Sequence, residues 1–271
     1  MMSRAFLTPA ETAQAVVEAG QRVLDQPLGR TLVLSFLAGV YIAFGAQLAI
    51  VVTSDAGSHF GTGFSRFLGG SVFSVGLMLV VVCGAELFTG NSLLVKAALN
   101  RRIGWDKLLE NWALVIFGNL LGALFIAWLI VHSGLWQSGP MAERAVAIAR
   151  AKATLPLDQA FIRGILCNWL VCLAVVMAVA ARDLPGKLLA CYMPIMAFVA
   201  SGFEHSVANM FFIPTGLLLQ GGNGSETGLT WGHFLINNLL PVTAGNIVGG
   251  VLFVAGAYWY AYLRGQATRQ G

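Results

Sequence analysis

The sequence predicts an all-α integral membrane protein of six transmembrane helices, arranged as two inverted three-helix repeats with breaks in the second and fifth helices. Three observations support this prediction: the composition, six apolar segments of membrane length, and two motifs that recur in the second half of the chain. Of the 271 residues, 57% are hydrophobic and only 10% are charged, whereas a soluble domain carries about a quarter charged residues. Much of the protein surface is therefore expected to face lipid.

Residues 1–30 are predicted to form a cytoplasmic N-terminal amphipathic helix, because they contain no apolar region of the kind found in a cleaved signal peptide. The segment from Thr8 to Glu11 is a capping box with proline at the first helical position. An apolar stripe follows on one face of this helix: Ala13, Val16, Val17, Gly20 and Leu24.

Six segments are long and apolar enough to cross about 30 Å of hydrocarbon. They lie near residues 31–53, 67–99, 108–131, 159–181, 187–219 and 233–262. Together they form a predicted membrane domain of residues 31–262, followed by a cytoplasmic tail of residues 263–271. The second and fifth segments are too long for one straight helix and carry polar residues midway, which is the first sign of a break.

The distribution of Lys and Arg predicts the orientation. With both termini inside, eleven of the 16 Lys and Arg residues lie on the inner side and five on the outer side. Because cytoplasmic segments carry the excess of positive charge, both termini are expected in the cytoplasm. The basic residues do not cluster, so no nucleic-acid partner is expected.

Two motifs recur in the same order in the two halves. The pattern G-x-E-x4-N occupies residues 84–91 and again 202–209, 118 residues later. The pattern G-N-x-x-G occupies residues 118–122 and 245–249. Because each half contains three spans, the halves must cross the membrane in opposite directions, which is the inverted-repeat architecture of many transport proteins. The predicted repeats cover about residues 31–131 and 159–262.

A glutamate lies at the predicted break of each long span, Glu86 in the second and Glu204 in the fifth. Non-helical backbone at membrane depth is tolerated only against protein or a water-filled cavity, and the exposed N–H groups and positive helix ends there favour an anion. An ionised carboxylate lining the path would repel that anion. Glu86, Glu204, Asn91 and Asn209 are therefore predicted to structure the loops.

His205 is the only histidine within a predicted hydrophobic core, and it lies at the fifth-span break. Its imidazole can donate a hydrogen bond to an anion and, with a reference pKa of about 6.5, can exchange a proton. Thr89 occupies the corresponding loop of the first half, where its hydroxyl can donate to the anion or to the ring.

A membrane enzyme and a neutral-solute channel are the alternatives to anion transport. A membrane enzyme with Glu86, Glu204 and His205 as metal ligands is disfavoured, because the cluster has one histidine and no nucleophile with a base. The four cysteines lie in apolar runs without further ligands, so no metal or cofactor is expected. A neutral-solute channel is the second alternative.

At these residues the sequence resembles the formate/nitrite transporter family over nearly its whole length. The most specific stretches are residues 86–89, 166–174, 201–210 and 245–250. The resemblance implies an aquaporin-like fold, although no Asn-Pro-Ala motif is present. It also implies a homopentamer with one path per protomer, in the cytoplasmic (inner) membrane of a bacterium or archaeon.

The resemblance assigns roles to further residues. Asn168 is expected beside Thr89 and His205 in the anion-binding group, and Lys152 is expected to draw anions into the outer vestibule. The segment around residues 87–89 resembles a mobile gating loop. Six residues match positions that form two apolar constrictions and the gate: Phe73, Leu77, Leu87, Phe88, Val171 and Phe198.

The motifs give mixed indications of the substrate. Residues 166–169 are similar to the nitrite branch of the family, whereas Phe203 and residues 210–214 are similar to the formate branch. We expect a small monovalent weak-acid anion, formate before nitrite, with hydrosulfide and short-chain carboxylates as further alternatives. A weak acid that takes up a proton at His205 crosses an apolar constriction more easily, so protons and membrane lipids are the other expected partners.

Overall fold

The structure, a computed structural model, describes residues 5–221 and 228–264. Within these ranges the chain is helical, with no β-strand beyond an isolated bridge between Phe6 and Ala181. Six helices of the described residues are long and apolar enough to cross a membrane, which confirms the predicted fold class.

The helices follow one another as three spans and a connection, then three more spans. The first three spans are α2 (Leu28–Thr53), the kinked pair α3 and α4 (Ala56–Phe73 and Val75–Cys83) and α7 (Trp105–His132). The last three are α9 (Leu157–Ala180), α10 (Leu184–Ser201) and a sixth span from His233 to Tyr262. The sixth span contains α12 (Leu240–Gly250) and α13 (Ala257–Tyr262), with π-helical turns at His233–Leu239 and Val251–Gly256.

The N-terminal helix α1 (Pro9–Leu24) begins at the capping box that the sequence predicts. The Thr8 hydroxyl accepts a hydrogen bond from the Glu11 N–H at 3.3 Å, and the Glu11 carboxylate accepts one from the Thr8 N–H at 2.8 Å. The buried face of α1 includes Ala13, Val16 and Val17. This face covers one end of the bundle.

Both predicted breaks are present in the backbone. The second span ends with α4 at Cys83 and resumes as α5 (Phe88–Asn91), a 3-10 turn and α6 (Val95–Leu99). The fifth span ends with α10 and resumes as α11 (Ser206–Leu219). Each break opens at a glycine with a positive φ, 79° at Gly84 and 78° at Gly202. Side-chain-bearing residues rarely adopt such a φ, so the glycines allow the chain to leave the helix.

The same helix pairing occurs in both halves: α2 packs along α7, and α9 packs along α12. The G-N-x-x-G motifs lie on these contacts. A Cβ atom on Gly122 would overlap the carbonyl oxygen of Phe36, and one on Gly249 would overlap the carbonyl oxygen of Ile165. Glycine is therefore needed for the close approach of each helix pair.

Two stretches outside the predicted spans are helical. The second span begins at Ala56 instead of near residue 67, and it continues through a kink at Gly61, whose φ is 76°. Helix α8 (Pro140–Ala153) joins the two repeats. Proline at its first turn and Arg150 and Lys152 in its last turn are ordinary helix-end signals. A search for membrane spans does not detect this helix, because four of its 14 residues are charged.

Candidate functional site

Two cavities of about 490 Å³ each enter the protein near opposite ends of α2. The outer cavity is lined by Thr53 at one end of this helix, and the inner cavity by Arg30 at the other. Here outer and inner follow the predicted orientation. His205 lines the outer cavity, and Leu87 lines the inner one. The two broken spans therefore contribute the residues at which the cavities end.

His205 lies at the N-cap of α11 with 3% of its surface exposed. Its Nδ1 accepts a hydrogen bond from the Ala208 N–H at 3.1 Å, and its Nε2 lies 3.1 Å from the Thr89 hydroxyl oxygen. Because Nδ1 is an acceptor, the neutral ring carries its hydrogen on Nε2 and donates it to Thr89. This tautomer, assigned from the hydrogen-bond geometry, leaves the Thr89 hydroxyl hydrogen available to another acceptor.

Thr89 is fully buried, and its carbonyl oxygen is in contact with two side chains of α9. The Asn168 side-chain amide donates to the carbonyl oxygens of Thr89 and Asn246, at 3.2 and 2.6 Å, and to the Ser92 hydroxyl at 3.2 Å. The Cys172 thiol also lies 3.5 Å from the Thr89 carbonyl oxygen. The N–H groups of Asn168 thus have protein acceptors, and they fix the loop that carries Thr89.

Aromatic rings enclose His205 on the outer side. The Phe198 ring stacks on the imidazole with centroids 5.8 Å apart, and Phe73 meets Phe198 edge-on at 5.9 Å. Phe212 stacks on Phe73 at 6.4 Å. All three rings line the outer cavity. Phe212 was not identified from the sequence, although it follows the break motif by three residues.

Aliphatic side chains lie on the inner side of Thr89 and His205. Leu77 and Leu87 line the inner cavity, and Val171 is fully buried within the same apolar core. Phe88 is turned toward α7, where its ring meets Trp112 at 6.0 Å. Phe73 and Phe198 thus line the outer cavity and Leu77 and Leu87 the inner one, whereas Phe88 packs beside the loop.

The two loop glutamates have matching environments. Glu86 accepts from Asn91 at 2.9 Å and from the Gln26 amide at 3.3 Å. Glu204 accepts from Asn209 at 2.7 Å and pairs with the Lys152 ammonium group at 3.0 Å. In each half the asparagine amide also donates to a second asparagine, which is Asn111 in one half and Asn238 in the other.

The asparagines of the G-N-x-x-G motifs hold the broken loops. Asn119 donates to the carbonyl oxygens of Ser35 and Glu86 and accepts from the Phe88 N–H. Asn246 makes the same three bonds in the other half. It donates to the carbonyl oxygens of Gly164 and Glu204 and accepts from the Ser206 N–H, at 2.8, 3.0 and 2.9 Å. The shared motif is visible in the sequence, but the hydrogen bonds that join each asparagine to a broken loop are not.

The repeat symmetry stops at the side chains of the central pair. The 118-residue offset aligns Leu87 with His205 and Thr89 with Val207. Each half therefore supplies one polar and one apolar side chain to the junction, and the polar ones meet across the repeat boundary. Within the described residues, no three His, Cys, Asp or Glu side chains lie together as metal ligands would.

The two cavities differ in charge. The outer cavity is lined by four basic residues, Arg66, Arg144, Lys152 and Arg163, and by Glu204 as its single acidic residue among those described. The inner cavity is lined by Arg30 and Glu86. Lys152 was implied by the family resemblance, whereas the three arginines were not identified. The outer cavity is therefore the more attractive to anions.

Comparison with known proteins gives a consistent result. The family model described as formate/nitrite transporter matches residues 10–260. A probable formate transporter of Methanothermobacter thermautotrophicus is 46% identical over 280 residues, which cover 97% of this chain and 100% of that protein. The formate channel FocA of Escherichia coli K12 is 40% identical over 274 residues, which cover 96% of this chain and 95% of FocA.

Solved structures agree with these relatives. A pentameric formate channel with formate bound superimposes with a TM-score of 0.77 at 36% identity, and the match covers 88% of this chain and 98% of that one. The family and these relatives are named as transporters and channels, not as enzymes.

Proposed function

The chain belongs to the formate/nitrite transporter family, and we propose that it is a formate channel with nitrite as a second, similar substrate. The observation that carries this proposal is the buried Thr89–His205 pair, which lies between the outer cavity, lined by His205, and the inner cavity, lined by Leu87. The formate-specific names of its relatives support formate.

The pair suits a small planar anion. A carboxylate that loses its water at the constrictions needs hydrogen-bond donors in return. The Thr89 hydroxyl hydrogen provides one, and the Nε2 hydrogen of His205 provides a second when it exchanges the Thr89 oxygen for the anion. The N-terminal end of the 14-residue α11 lies directly after His205 and adds a positive dipole end. Hydrosulfide and short-chain carboxylates could use the same donors, and a glycerol-like solute would not need the positive field.

Proton coupling through His205 is the finer part of the proposal. The neutral ring already carries a proton on Nε2, so it must gain one at Nδ1 before it can give the Nε2 proton to the anion and return to neutrality. Nδ1 is occupied by the hydrogen bond from Ala208, which caps α11. We propose that proton uptake follows anion binding and shifts the first turn of α11.

The remaining predicted residues support the path in this proposal. Glu86, Glu204, Asn91 and Asn209 structure the loops through their mutual hydrogen bonds. Asn168 positions Thr89. Leu87 and Phe88 form the gate, and the rings and aliphatic side chains on either side of His205 form the constrictions. Lys152 contributes to the outer vestibule while it is bound to Glu204.

We also propose a homopentamer in the inner membrane with both termini cytoplasmic. Leu7 donates to the Ala180 carbonyl oxygen at 2.9 Å, and the Trp259 indole donates to Asn100 at 3.1 Å. The chain near both termini therefore lies at the end of the bundle where the predicted inner loops are. The solved pentameric relative supports the assembly.

The test is formate uptake into proteoliposomes, measured by stopped-flow fluorescence of a pH dye. His205→Asn keeps a side-chain acceptor for the Ala208 N–H, because asparagine is a good N-cap, but it removes the exchangeable proton. We expect this variant to conduct formate without the pH dependence of the wild type. Unchanged pH dependence in His205→Asn or His205→Ala would contradict coupling through the ring.

A second pair of variants tests the hydroxyl. Thr89→Val removes the donor at nearly constant volume, and Thr89→Ser keeps it. We expect formate flux to fall about tenfold in Thr89→Val, the size of one charge-assisted hydrogen bond, and to persist in Thr89→Ser. Parallel traces with nitrite and glycerol complete the experiment. Glycerol conduction equal to formate conduction would favour the neutral-solute alternative.

A further inference from the structure

We propose that Arg66 and Arg144 form an anion-binding station at the mouth of the outer cavity, distinct from the Thr89–His205 pair. Its ligand is a small carboxylate or oxyanion held between two guanidinium groups. The station deepens the proposed function, because it places a recognition step at the entrance of the path. Ligand binding at the station can be measured without any transport.

Arg144 is held so that most of its donors remain available. It lies on α8, half-buried, and its Nε donates to the Thr53 hydroxyl oxygen at 3.4 Å. That hydroxyl donates its own hydrogen to the Ala49 carbonyl oxygen at 2.7 Å, so it can only accept from the arginine. The contact uses Nε and leaves the two Nη groups, with four N–H donors, for a ligand in the cavity.

Arg66 lies beside the same threonine. It is one helical turn before Gly69 on α3, and residues three apart share a helix face. A Cβ atom on Gly69 would lie 3.0 Å from the Thr53 methyl group, so this face of α3 packs against Thr53. Arg66, Gly69, Thr53 and Arg144 all line the outer cavity. Arg66 and Arg144 thus reach the same cavity from different helices, and the Arg66 charge acts on the Arg144 guanidinium.

Neither guanidinium has a carboxylate partner among the described residues. The acidic residue of the cavity lining, Glu204, is occupied by Lys152, whose ammonium group lies 3.0 and 3.1 Å from its two oxygens. Burial, and then the charge of Arg66, lower the pKa of the Arg144 guanidinium. The exposed Arg66 and the half-buried Arg144 carry like charges that repel each other, and an anion between them removes that repulsion.

The geometry also indicates the kind of ligand. A guanidinium presents paired N–H groups that match two oxygens of a carboxylate or oxyanion, which an ammonium group does not. Because Lys152 is already paired, the arginines supply the uncompensated positive charge at this end. An anion is thus held first at the arginines and then passes to the aromatic constriction and His205.

Equilibrium dialysis of the purified full-length protein with radiolabelled oxalate tests the station, because its two carboxylates can bridge two arginines. We expect saturable binding of about one oxalate per chain, weakened about tenfold in Arg66→Gln and in Arg144→Gln, as loss of a charge-assisted bidentate bond implies. Arg150→Gln is the matched control. Arg150 lies on α8 but is exposed and does not line the cavity.

Arg144→Lys separates a specific station from general charge attraction. It keeps the charge and loses the paired donors, so we expect oxalate binding to weaken in this variant. Affinity equal to wild type in Arg144→Lys, or in the Arg66→Gln/Arg144→Gln double variant, would overturn the proposal. Formate uptake gives a second measure: the double variant should need several-fold more formate for half-maximal flux, with an unchanged maximal rate that also shows it is folded.

The two proposals fail in different ways. If wild type binds oxalate as described but no variant or wild type conducts formate, the station stands and the proposed function fails. If formate conduction depends on Thr89 and His205 while oxalate binding ignores both arginines, the function stands and the station fails.

Discussion

The two glycines that open the helix breaks allow backbone strain to be measured apart from packing. Gly84 has a φ of 79° and a ψ of 100°, and Gly202 has a φ of 78° and a ψ of 30°. A Cβ atom at either position would meet nothing within 4 Å. Substitution by alanine therefore adds no clash, and any loss of stability reports the cost of holding an L-residue at that φ.

The expected magnitudes differ because the ψ angles differ. Gly202 lies in the left-handed helical region, where alanine costs about 1–2 kcal/mol. Gly84 has a ψ outside that region, so we expect Gly84→Ala to cost about 2–3 kcal/mol. Asparagine enters the left-handed region more easily than alanine. Gly202→Asn should therefore recover part of the loss, and Gly84→Asn should not.

Equilibrium unfolding in mixed detergent micelles provides the free energies, and formate flux in proteoliposomes provides the functional effect. Gly57→Ala is the control. Gly57 is an exposed glycine of α3 whose Cβ would also meet nothing within 4 Å, and its φ is not in the positive range. Alanine there should stabilise the protein by roughly 0.5–1 kcal/mol, as in any helix.

Two results would refute the strain argument. One is a free energy of unfolding for Gly84→Ala equal to that of Gly57→Ala. The other is a Gly202→Asn variant that is as destabilised as Gly202→Ala. Either result would mean that the loops relax to another backbone conformation without loss, and that the breaks do not depend on glycine.

Three further predictions concern the supports of the site. Asn246→Ala removes three buried hydrogen bonds of about 1 kcal/mol each, so the free energy of unfolding should fall by about 3 kcal/mol. Asn119→Ala should lower it by the same amount. A difference above about 1 kcal/mol between the two variants would contradict the repeat symmetry. Gly249→Ala should lower the free energy of unfolding by about 1–3 kcal/mol, because the new Cβ overlaps the facing helix backbone. Gly29→Ala is the control, since a Cβ there would meet nothing within 4 Å. Equal unfolding curves for the two variants would contradict the packing argument. Glu204→Gln should release Lys152 from its ion pair and make formate uptake more sensitive to ionic strength than in wild type. An unchanged salt dependence of uptake would contradict this prediction.

The spans and the two breaks were predictable because lipid imposes simple requirements. A chain in hydrocarbon must satisfy its own backbone hydrogen bonds, so membrane helices appear directly as apolar runs. A polar motif inside such a run, such as the one that contains Glu86, is costly enough to indicate a break. The break motif recurs with the same spacing around Glu204, so the sequence alone indicates the inverted repeat.

The parts that were not predicted depend on contacts between distant segments. Helix α8 is short and carries four charged residues, so a search for membrane spans does not detect it. Its role becomes clear only from the contact between Lys152 and Glu204. The three hydrogen bonds of Asn246 join residues 42 and 82 positions away, among others. Arg66 and Arg144 are separated by most of two spans, and each alone is an ordinary basic residue near a membrane surface.

The matching bonds of Asn119 and Asn246 have a consequence for how such a site can change. Both loops are anchored through the same backbone groups, and these anchors do not involve the side chains that face the junction. Substitutions at residues 87, 89 and 207 can therefore alter the chemistry while these anchors stay in place, and a substitution at residue 205 needs in addition a side chain that caps α11. Exchanging the two side-chain pairs between the halves would give the same junction turned by the pseudo-two-fold rotation that relates the repeats, with the charged entrance still on its original side. The repeated three-helix frame thus allows the polarity of the site and the charge of the entrance to be changed separately.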